Sequence, residues 1–249
     1  MCTPLSATTT RSRGARATSS SCARRSIANV SRSLAFTPIG STPGATARSI
    51  DELGFGFMFA PAHHPAMRYA APARRDLATR TVFNVLGPLT NPAGARAQIV
   101  GVYSPELVRT IAEVLARLGA RRAFVVHGAG GIDELSPTGP NLVCEVVDGT
   151  VRDREIDPQE LGVPRCSPEE LRGGAPDENV GAMRRVLSGE ERGGARSAVL
   201  LNAAGAIAAA GHADDLHGGL ALATEAIDSG AAAARLEALV AFSREAVPV

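Results

Sequence analysis

Two adjacent carboxylates in a glycine-rich segment have the clearest potential for chemistry in this sequence. Asp133 and Glu134 follow the run His127-Gly128-Ala129-Gly130-Gly131, where an apolar segment meets a flexible turn. Carboxylate oxygens are hard ligands, and proteins typically hold Mg²⁺ with one or two carboxylates plus water and a substrate phosphate. The pair is therefore a candidate Mg²⁺ site, and the alternative is a solvated acidic turn. The glycines match neither GxGxxG nor GxxxxGK[ST], which argues against a nucleotide fingerprint.

Histidines and arginines between residues 63 and 75 form a second group of candidates. His63 and His64 are adjacent, so their side chains point apart on an extended backbone, and no His or Glu follows at helical spacing. A histidine that lines a pocket or satisfies a backbone group therefore fits better than a transition-metal ligand. Arg74 and Arg75 could hold a carboxylate or phosphate in a guanidinium fork, or be solvated on a surface helix.

A rigid segment is predicted at 87–92, shortly after Asn84. Its sequence, Gly-Pro-Leu-Thr-Asn-Pro, restricts the backbone through two prolines and a glycine, which suits a pocket wall. The sequence offers neither a Ser-His-Asp nucleophile arrangement nor a paired acid–base dyad, so it points to no catalytic side chain. An enzyme built from these residues would work by positioning and electrostatics.

The elements that must position these residues follow an α/β pattern. Strands are predicted at 81–86, 98–103 and 123–126, with a helix after Ser104 between the last two. The apolar face of that helix is Leu107, Ile111, Val114, Leu115 and Leu118. This crossover implies parallel pairing with a right-handed connection, and ligands gather beyond the carboxyl ends of such strands. Those ends are 84–91, 103–104 and 127–134.

The remaining sequence predicts a hairpin and a set of helices. Asp148-Gly149 is a strong turn signal between strands at 142–147 and 150–156. Helices are predicted at 178–187, 195–210 and 220–242, with glycine at the breaks. The run 198–210 is almost entirely small and apolar apart from Asn202, which predicts burial between the sheet and its neighbours. Ser49 is predicted to cap a short turn that reaches Leu53.

Charge is divided unevenly along the 249 residues. Residues 1–50 contain seven arginines and no acid, a charge of +7, whereas the rest carries 19 arginines and 25 acids, a charge of −6. Residues 1–44 also lack a sustained apolar period, so we expect a disordered basic segment there. Its composition resembles an organellar transit peptide. A nucleic-acid arm is disfavoured because Phe36 is its one aromatic residue; a frameshifted or truncated gene is the third explanation.

Composition favours a soluble protein of a reducing compartment. No apolar run approaches 20 residues, so no membrane span or membrane partner is expected. The four cysteines are scattered and form no CxxC pair, which argues against disulfides and structural zinc. A cytoplasmic location without nucleic-acid partners is the resulting expectation.

Three blocks of the sequence resemble the anthranilate phosphoribosyltransferases of tryptophan biosynthesis. They are GFGFMFAPAHHPAM at 54–67, RTVFNVLGPLTNPA at 80–93, and His127-Gly128 followed by Asp133-Glu134-Leu135. The resemblance extends from about residue 45 to the C-terminus. Nucleoside phosphorylases share the architecture, but the FNVLGPLTNP run favours the anthranilate enzymes.

The resemblance implies a fold and a reaction. The fold is a mixed, mainly parallel α/β sheet flanked by helices over residues 45–249, a partial domain without the family's N-terminal helical domain. The reaction transfers the 5-phosphoribosyl group from phosphoribosyl pyrophosphate to the amine of anthranilate, with Mg²⁺ assisting departure of pyrophosphate. The family dimerises through its helical domain, so the resemblance does not carry a homodimer over to this chain.

The resemblance also implies roles for individual residues. Arg74 matches the arginine that holds anthranilate, and His64 matches a pocket histidine. Gly87 and Pro88 match the wall of the anthranilate channel. Asp133 and Glu134 match the metal-binding acidic pair.

Residues 1–53 depart from the family pattern. They contain neither the family's Gly-Thr-Gly-Gly-Asp loop, whose amides cradle pyrophosphate, nor its Lys-His-Gly-Asn segment. Codons for 34–43, read one base earlier, can encode Pro-Gly-Val-His-Thr-Asp-Arg-Leu-Asp-Pro, close to the family's sequence before this point. This favours a frameshift and predicts impaired activity.

We expect this chain to consume anthranilate slowly or not at all, because residues 1–53 lack the phosphate cradle. The measurement is the loss of anthranilate fluorescence with phosphoribosyl pyrophosphate and Mg²⁺, and robust turnover would contradict the expected defect. Anthranilate binding without donor binding would indicate a non-catalytic binding fragment. Phosphate-dependent cleavage of a nucleoside would indicate a nucleoside phosphorylase.

Overall fold

The computed structural model describes residues 43–56, 67–77, 79, 81–91 and 94–246. The chain divides into two compact units. One comprises Met1–Ala93, Gly173–Gly181 and Ala234–Val249, and the other comprises Gly94–Arg172 and Ala182–Ala233. Nearly all of the segment predicted to be disordered, residues 1–42, lies outside the described residues, so that prediction and the domain boundary at residue 45 stay predictions.

The described elements alternate between helices and strands in the middle of the chain. In order they are α1 (Pro43–Leu53), α2 (Met67–Leu77), α3 (Leu86–Leu89), β1 (Ala97–Gly101), α4 (Glu106–Arg117), β2 (Arg122–His127), β3 (Asn141–Val147), β4 (Thr150–Ile156), α5 (Pro176–Leu187), α6 (Gly194–Ala210), α7 (Leu216–Asp228) and α8 (Ala231–Ala246). Short 3₁₀ helices lie at Val82–Asn84, Pro158–Leu161 and Pro168–Leu171.

A mixed sheet forms the centre of the unit made by Gly94–Arg172 and Ala182–Ala233. Its strands are ordered β1-β2-β3-β4. The β1–β2 pair is parallel, with Gly101 opposite Val126, whereas β2–β3 and β3–β4 are antiparallel. The predicted mixed α/β sheet is confirmed, and α4 connects the parallel pair as expected, but the expectation of a mainly parallel sheet is wrong, since two of the three described strand pairs are antiparallel.

The two faces of this sheet pack against different helices. Phe124, Val126 and Val143 join Leu201 and the small residues of α6 in one core cluster. Successive side chains of a strand alternate between faces, so Ala123 and Val125 point the other way, toward the side where α4 packs on β2, β3 and β4. The predicted burial of 198–210 between the sheet and its neighbours is confirmed, since α6 also packs on α7.

The remaining predictions for this unit are partly right. The hairpin is confirmed, with Asp148 and Gly149 both at positive φ, 45° and 82°. The apolar face of α4 was predicted in part: Ile111 and Leu115 are buried as expected, but Val108 and Ala112 complete the buried face, whereas Leu118 is 62% exposed. The predicted and the observed apolar residues both have helical spacing. The side on which the sheet packs against the helix decides which of them are buried. The helix expected at 220–242 is two helices, because Gly230 (φ 78°) breaks the helical path between α7 and α8.

Two predictions for the other unit are wrong. Residues 81–86 form a 3₁₀ helix and the start of α3 instead of a strand. The side chain of Asn84 accepts a hydrogen bond from the Thr81 amide at 2.9 Å, which stabilises the turn. A short apolar run does not by itself distinguish a strand from a helix. Ser49 caps no helix start: it is buried within α1, and its hydroxyl donates to the Phe55 carbonyl at 2.6 Å.

Contacts between α1 and α8 stabilise this unit. The Arg235 guanidinium donates to the Leu53 carbonyl at the end of α1, at 2.7 Å. The Arg48 guanidinium lies over the Phe242 ring, 5.3 Å from its centroid. Within the described part of the chain, no helix combines the length and apolar character that crossing a membrane requires.

We predict that Cys144 is protected from alkylation in the folded protein. Burial, together with the hydrogen bond to Asp153 (2.7 Å), raises the pKa of Cys144 to about 12. Its reactive thiolate is therefore scarce at pH 8. Peptide mapping after iodoacetamide treatment should show little modification at Cys144 in native protein and full modification in denaturant. Rapid labelling of native Cys144 would contradict this environment.

Candidate active site beyond strands β1 and β2

The segment after β2 is a tight turn that ends at the acidic pair. The Gly128 amide donates to the Ile132 carbonyl at 2.8 Å, and the Gly131 amide donates to the Gly128 carbonyl at 3.0 Å. Gly130 and Gly131 both have positive φ, near 80°, a conformation that glycine adopts without steric cost. The turn reverses the chain and places Asp133 and Glu134, both half-buried, beside the ends of β1 and β2.

The backbone of the acidic pair is in direct contact with two glycines. A Cβ added to Gly101, the last residue of β1, would lie 1.5 Å from the Asp133 carbonyl oxygen. A Cβ added to Gly128 would lie 2.1 Å from the Glu134 carbonyl oxygen. Both distances are far inside van der Waals contact. Glycine at these two positions is therefore required for the observed path of the chain.

The two residues that follow the pair are each held by an asparagine side chain. The Leu135 amide donates to Asn202 Oδ1 at 2.9 Å, and Asn202 Nδ2 donates to the Leu135 carbonyl at 2.8 Å. The Ser136 amide donates to Asn141 Oδ1 at 2.7 Å, and Asn141 Nδ2 donates to the Ser136 carbonyl at 3.1 Å. Leu135 and Ser136 are buried, so these bonds satisfy backbone groups that lie away from water.

The ends of β1 and β2 bring further polar groups to the same edge of the sheet. His127 Nδ1 lies 2.9 Å from the Val102 carbonyl and must donate to it, because the carbonyl can only accept. Ser104 donates a hydrogen bond to Glu106 at the start of α4. This bond is the largest cause that lowers the pKa of Glu106, and His127 contributes in the same direction. Of the three predicted strand ends, 103–104 and 127–134 lie at this edge of the sheet, whereas 84–91 follows no strand of it.

Three other candidate residues, Arg74, Gly87 and Pro88, belong to the unit that contains α1 to α3. Gly87 and Pro88 lie in α3, and a Cβ added to Gly87 would meet no atom of the described residues within 4 Å. Arg74 lies in α2, of which the structure describes the backbone at that position. His64 lies outside the described residues. Their proposed roles stay predictions.

Asp133 and Glu134 fit Mg²⁺ by donor chemistry. Hard carboxylate oxygens on adjacent residues match the one or two carboxylates with which proteins usually hold this ion. The close glycine contacts keep the backbone that carries them in one place. Among the described residues, no three His, Cys, Asp or Glu side chains are grouped as a metal site.

A comparison with protein families identifies the family of this chain. The model of the glycosyl transferase family, a/b domain, matches residues 14–233. The chain belongs to this family. The resemblance to anthranilate phosphoribosyltransferases is also confirmed: the enzyme of that name from Moorella thermoacetica is 54% identical over 200 residues, 80% of this chain and 59% of the relative.

Solved structures show the same glycosyl transferase fold. The anthranilate phosphoribosyltransferase of Thermus thermophilus matches with a TM-score of 0.80 and 47% identity, over 87% of this chain and 64% of that one. The enzyme from Saccharomyces cerevisiae, solved in complex with PRPP and Mg, matches with a TM-score of 0.77 and 27% identity, over 88% and 61%. This chain thus spans about three fifths of the length of these relatives.

Sequence reasoning missed the residues that hold the acidic pair in place. Gly101 carries no motif signal, since glycine at a strand end is common. Asn141 directly precedes the predicted strand at 142–147, where an asparagine is typical of a turn. Asn202 offered the one detectable signal, because a lone amide within an apolar helical run must find buried hydrogen-bond partners.

We predict that Gly101→Ala destabilises the protein by about 3 kcal/mol, the upper end of the range for overpacking. The added methyl group would meet backbone atoms of Asp133, which cannot rotate away as a side chain can. Chemical denaturation measures the change. Gly44→Ala, in α1, is the matched control, because a Cβ there meets no atom of the described part of the chain within 4 Å. Equal stability of the two variants would contradict the close contact at Gly101.

Proposed function

We propose that this domain serves the transfer of the 5-phosphoribosyl group from phosphoribosyl pyrophosphate to the amine of anthranilate. The observation that carries the proposal is the acidic pair Asp133-Glu134, fixed beyond the ends of β1 and β2. Two findings support it: the 54% identity to an anthranilate phosphoribosyltransferase, and a relative of the same fold that was solved with PRPP and Mg.

The donor side of the reaction is assigned to Asp133 and Glu134. Their carboxylates would hold Mg²⁺, which when bound neutralises charge on the departing pyrophosphate. Half-burial strengthens the interaction of these carboxylates with a cation relative to bulk water. The fixed backbone of the pair lets it bind without first being ordered, which avoids an entropic cost.

The acceptor side is assigned to Arg74, His64, Gly87 and Pro88. An aryl carboxylate such as that of anthranilate suits the bidentate guanidinium fork of Arg74. Gly87 has no side chain, which suits a pocket wall that a flat ring approaches closely. His64 would add an imidazole to that wall.

The proposed transfer reaction needs little acid–base catalysis by side chains. The aniline-type nitrogen is neutral at pH 7 and attacks C1 of the ribose with its lone pair. The C1–N bond forms, the C1–O bond to pyrophosphate breaks, and the nitrogen afterwards releases a proton to solvent. Positioning and charge stabilisation would therefore account for the catalysis.

Crossed binding measurements on single-site variants test these assignments. Calorimetry with anthranilate should show affinity reduced about 10- to 100-fold in Arg74→Ala, the magnitude of a lost charge-assisted hydrogen bond, while Mn²⁺ binding is unchanged. The double variant Asp133→Asn with Glu134→Gln should lose Mn²⁺ binding, followed by electron paramagnetic resonance, and keep anthranilate binding.

Arg75→Ala is the matched control, because it removes the neighbouring guanidinium from the same helix and should leave both affinities unchanged. Anthranilate binding that survives Arg74→Ala would refute the acceptor assignment. Mn²⁺ binding that survives loss of both carboxylates would refute the donor assignment. The donor assignment and the acceptor assignment are thus tested independently.

A further inference from the structure

We propose that Asn202 and Asn141 are positioning residues for the acidic pair, with α6 holding Asp133 and Glu134 in the geometry that binds the cation. This inference rests on the proposed function, because it takes the pair as the Mg²⁺ site. Neither asparagine belongs to the family motifs from which the site residues were assigned. Both act on the backbone that immediately follows the carboxylates.

Asn202 links the pair to helix α6. Its side chain reproduces the two hydrogen bonds that a neighbouring β-strand would make with Leu135, one accepted and one donated. Its Nδ2 also donates to the Ala198 carbonyl one turn earlier in α6, at 2.9 Å. The amide therefore ties Leu135, the residue after Glu134, to a rigid 17-residue helix.

The apolar sequence around Asn202 in α6 does not explain why an amide stands at this position. Leu200 and Leu201 are its neighbours in α6, and small apolar residues make up most of the surrounding run. An amide in such a helix costs free energy unless its polar atoms find partners. All three of the hydrogen bonds that Asn202 makes here involve backbone groups, and two of them are to Leu135.

Asn141 repeats the arrangement one residue later. It is 1% exposed and exchanges a pair of hydrogen bonds with Ser136. Its Nδ2 also lies 3.1 Å from the carbonyl oxygens of Gly139 and Ile156, which joins the segment to β4. Leu135 and Ser136 are thus hydrogen-bonded to two different elements of the fold, α6 and β3.

The asparagine hydrogen bonds and the glycine contacts involve backbone groups of consecutive residues. Gly101 and Gly128 touch the carbonyl groups of Asp133 and Glu134, and the asparagines bind the amide and carbonyl groups of the next two residues. The backbone from Asp133 to Ser136 is therefore held by close contacts at its first two residues and by hydrogen bonds at the next two. Partners that orient metal ligands typically change metal affinity 10- to 100-fold when they are removed.

The test compares Mn²⁺ affinity and amide exchange in Asn202→Ala. We expect the Mn²⁺ dissociation constant, measured by electron paramagnetic resonance, to rise about 10-fold or more. Hydrogen exchange of the peptide covering 130–140 should accelerate at least about 10-fold, because the Leu135 amide loses its acceptor. Circular dichroism and thermal unfolding establish that the variant is folded.

Asn179→Ala is the matched control, because Asn179 holds Gly174 with the same pair of hydrogen bonds, 2.8 and 3.0 Å. It should leave Mn²⁺ affinity unchanged. Asn202→Gln keeps the amide but lengthens it by one methylene group. If Asn202→Ala fails to fold, this variant decides the question, and we expect it to weaken Mn²⁺ binding as well.

The outcomes separate the two proposals. Unchanged Mn²⁺ affinity in a folded Asn202 variant, or an equal loss in Asn179→Ala, would overturn the positioning role and leave the metal assignment intact. Absence of carboxylate-dependent Mn²⁺ binding in the wild-type chain would overturn the metal assignment and, with it, the positioning role. Weaker binding confined to the Asn202 variants, with faster exchange at 130–140, supports the inference.

Discussion

The contact between the acidic pair and two glycines is the constraint on which the candidate site depends. Peptide groups can approach a strand end this closely only where no Cβ intervenes, as at Gly101 and Gly128. The contact in turn requires that β1 and β2 end side by side, and their parallel register provides this by placing Gly101 opposite Val126. The Val102 amide extends the pairing by donating to the Val126 carbonyl at 2.9 Å. The site is therefore a consequence of strand register.

Close packing also sets the position of α6, from which Asn202 reaches the loop. A Cβ at Gly205 would lie 2.6 Å from Ile99 of β1, and one at Gly219 would lie 2.4 Å from the Ala204 carbonyl oxygen. These small residues bring α6 close to the sheet and α7 close to α6. On the far side of the sheet, α4 is joined to β4 by the Arg109–Asp153 ion pair at 2.5 Å. Helices on both faces thus hold the strands whose ends form the site.

Local patterns predicted the elements whose signals are short-range. The Asp148-Gly149 turn requires two consecutive positive φ angles, a condition that these residues meet at low cost, so the hairpin was recognisable. The strand-helix-strand crossover was recognisable because periodicity changes at Ser104 and Gly119. Residues 81–86 were misread because β-branched apolar residues fit both a strand and a tight helical turn. The hydrogen bond between the Asn84 side chain and the Thr81 amide favours the turn.

The sequence alone indicated the family and the α/β class and selected the carboxylates at 133–134 as candidate metal ligands, because those inferences depend on residue types in a fixed order. Asp133 and Glu134 were selected as hard ligands beside a glycine turn, and that choice needed no coordinates. Only folding brings Gly101, Asn141 and Asn202 into contact with the same backbone segment, 133–136, from positions up to about 100 residues apart. Such contacts leave no local pattern, since a glycine at a strand end and an amide in an apolar helix acquire their roles from what packs against them.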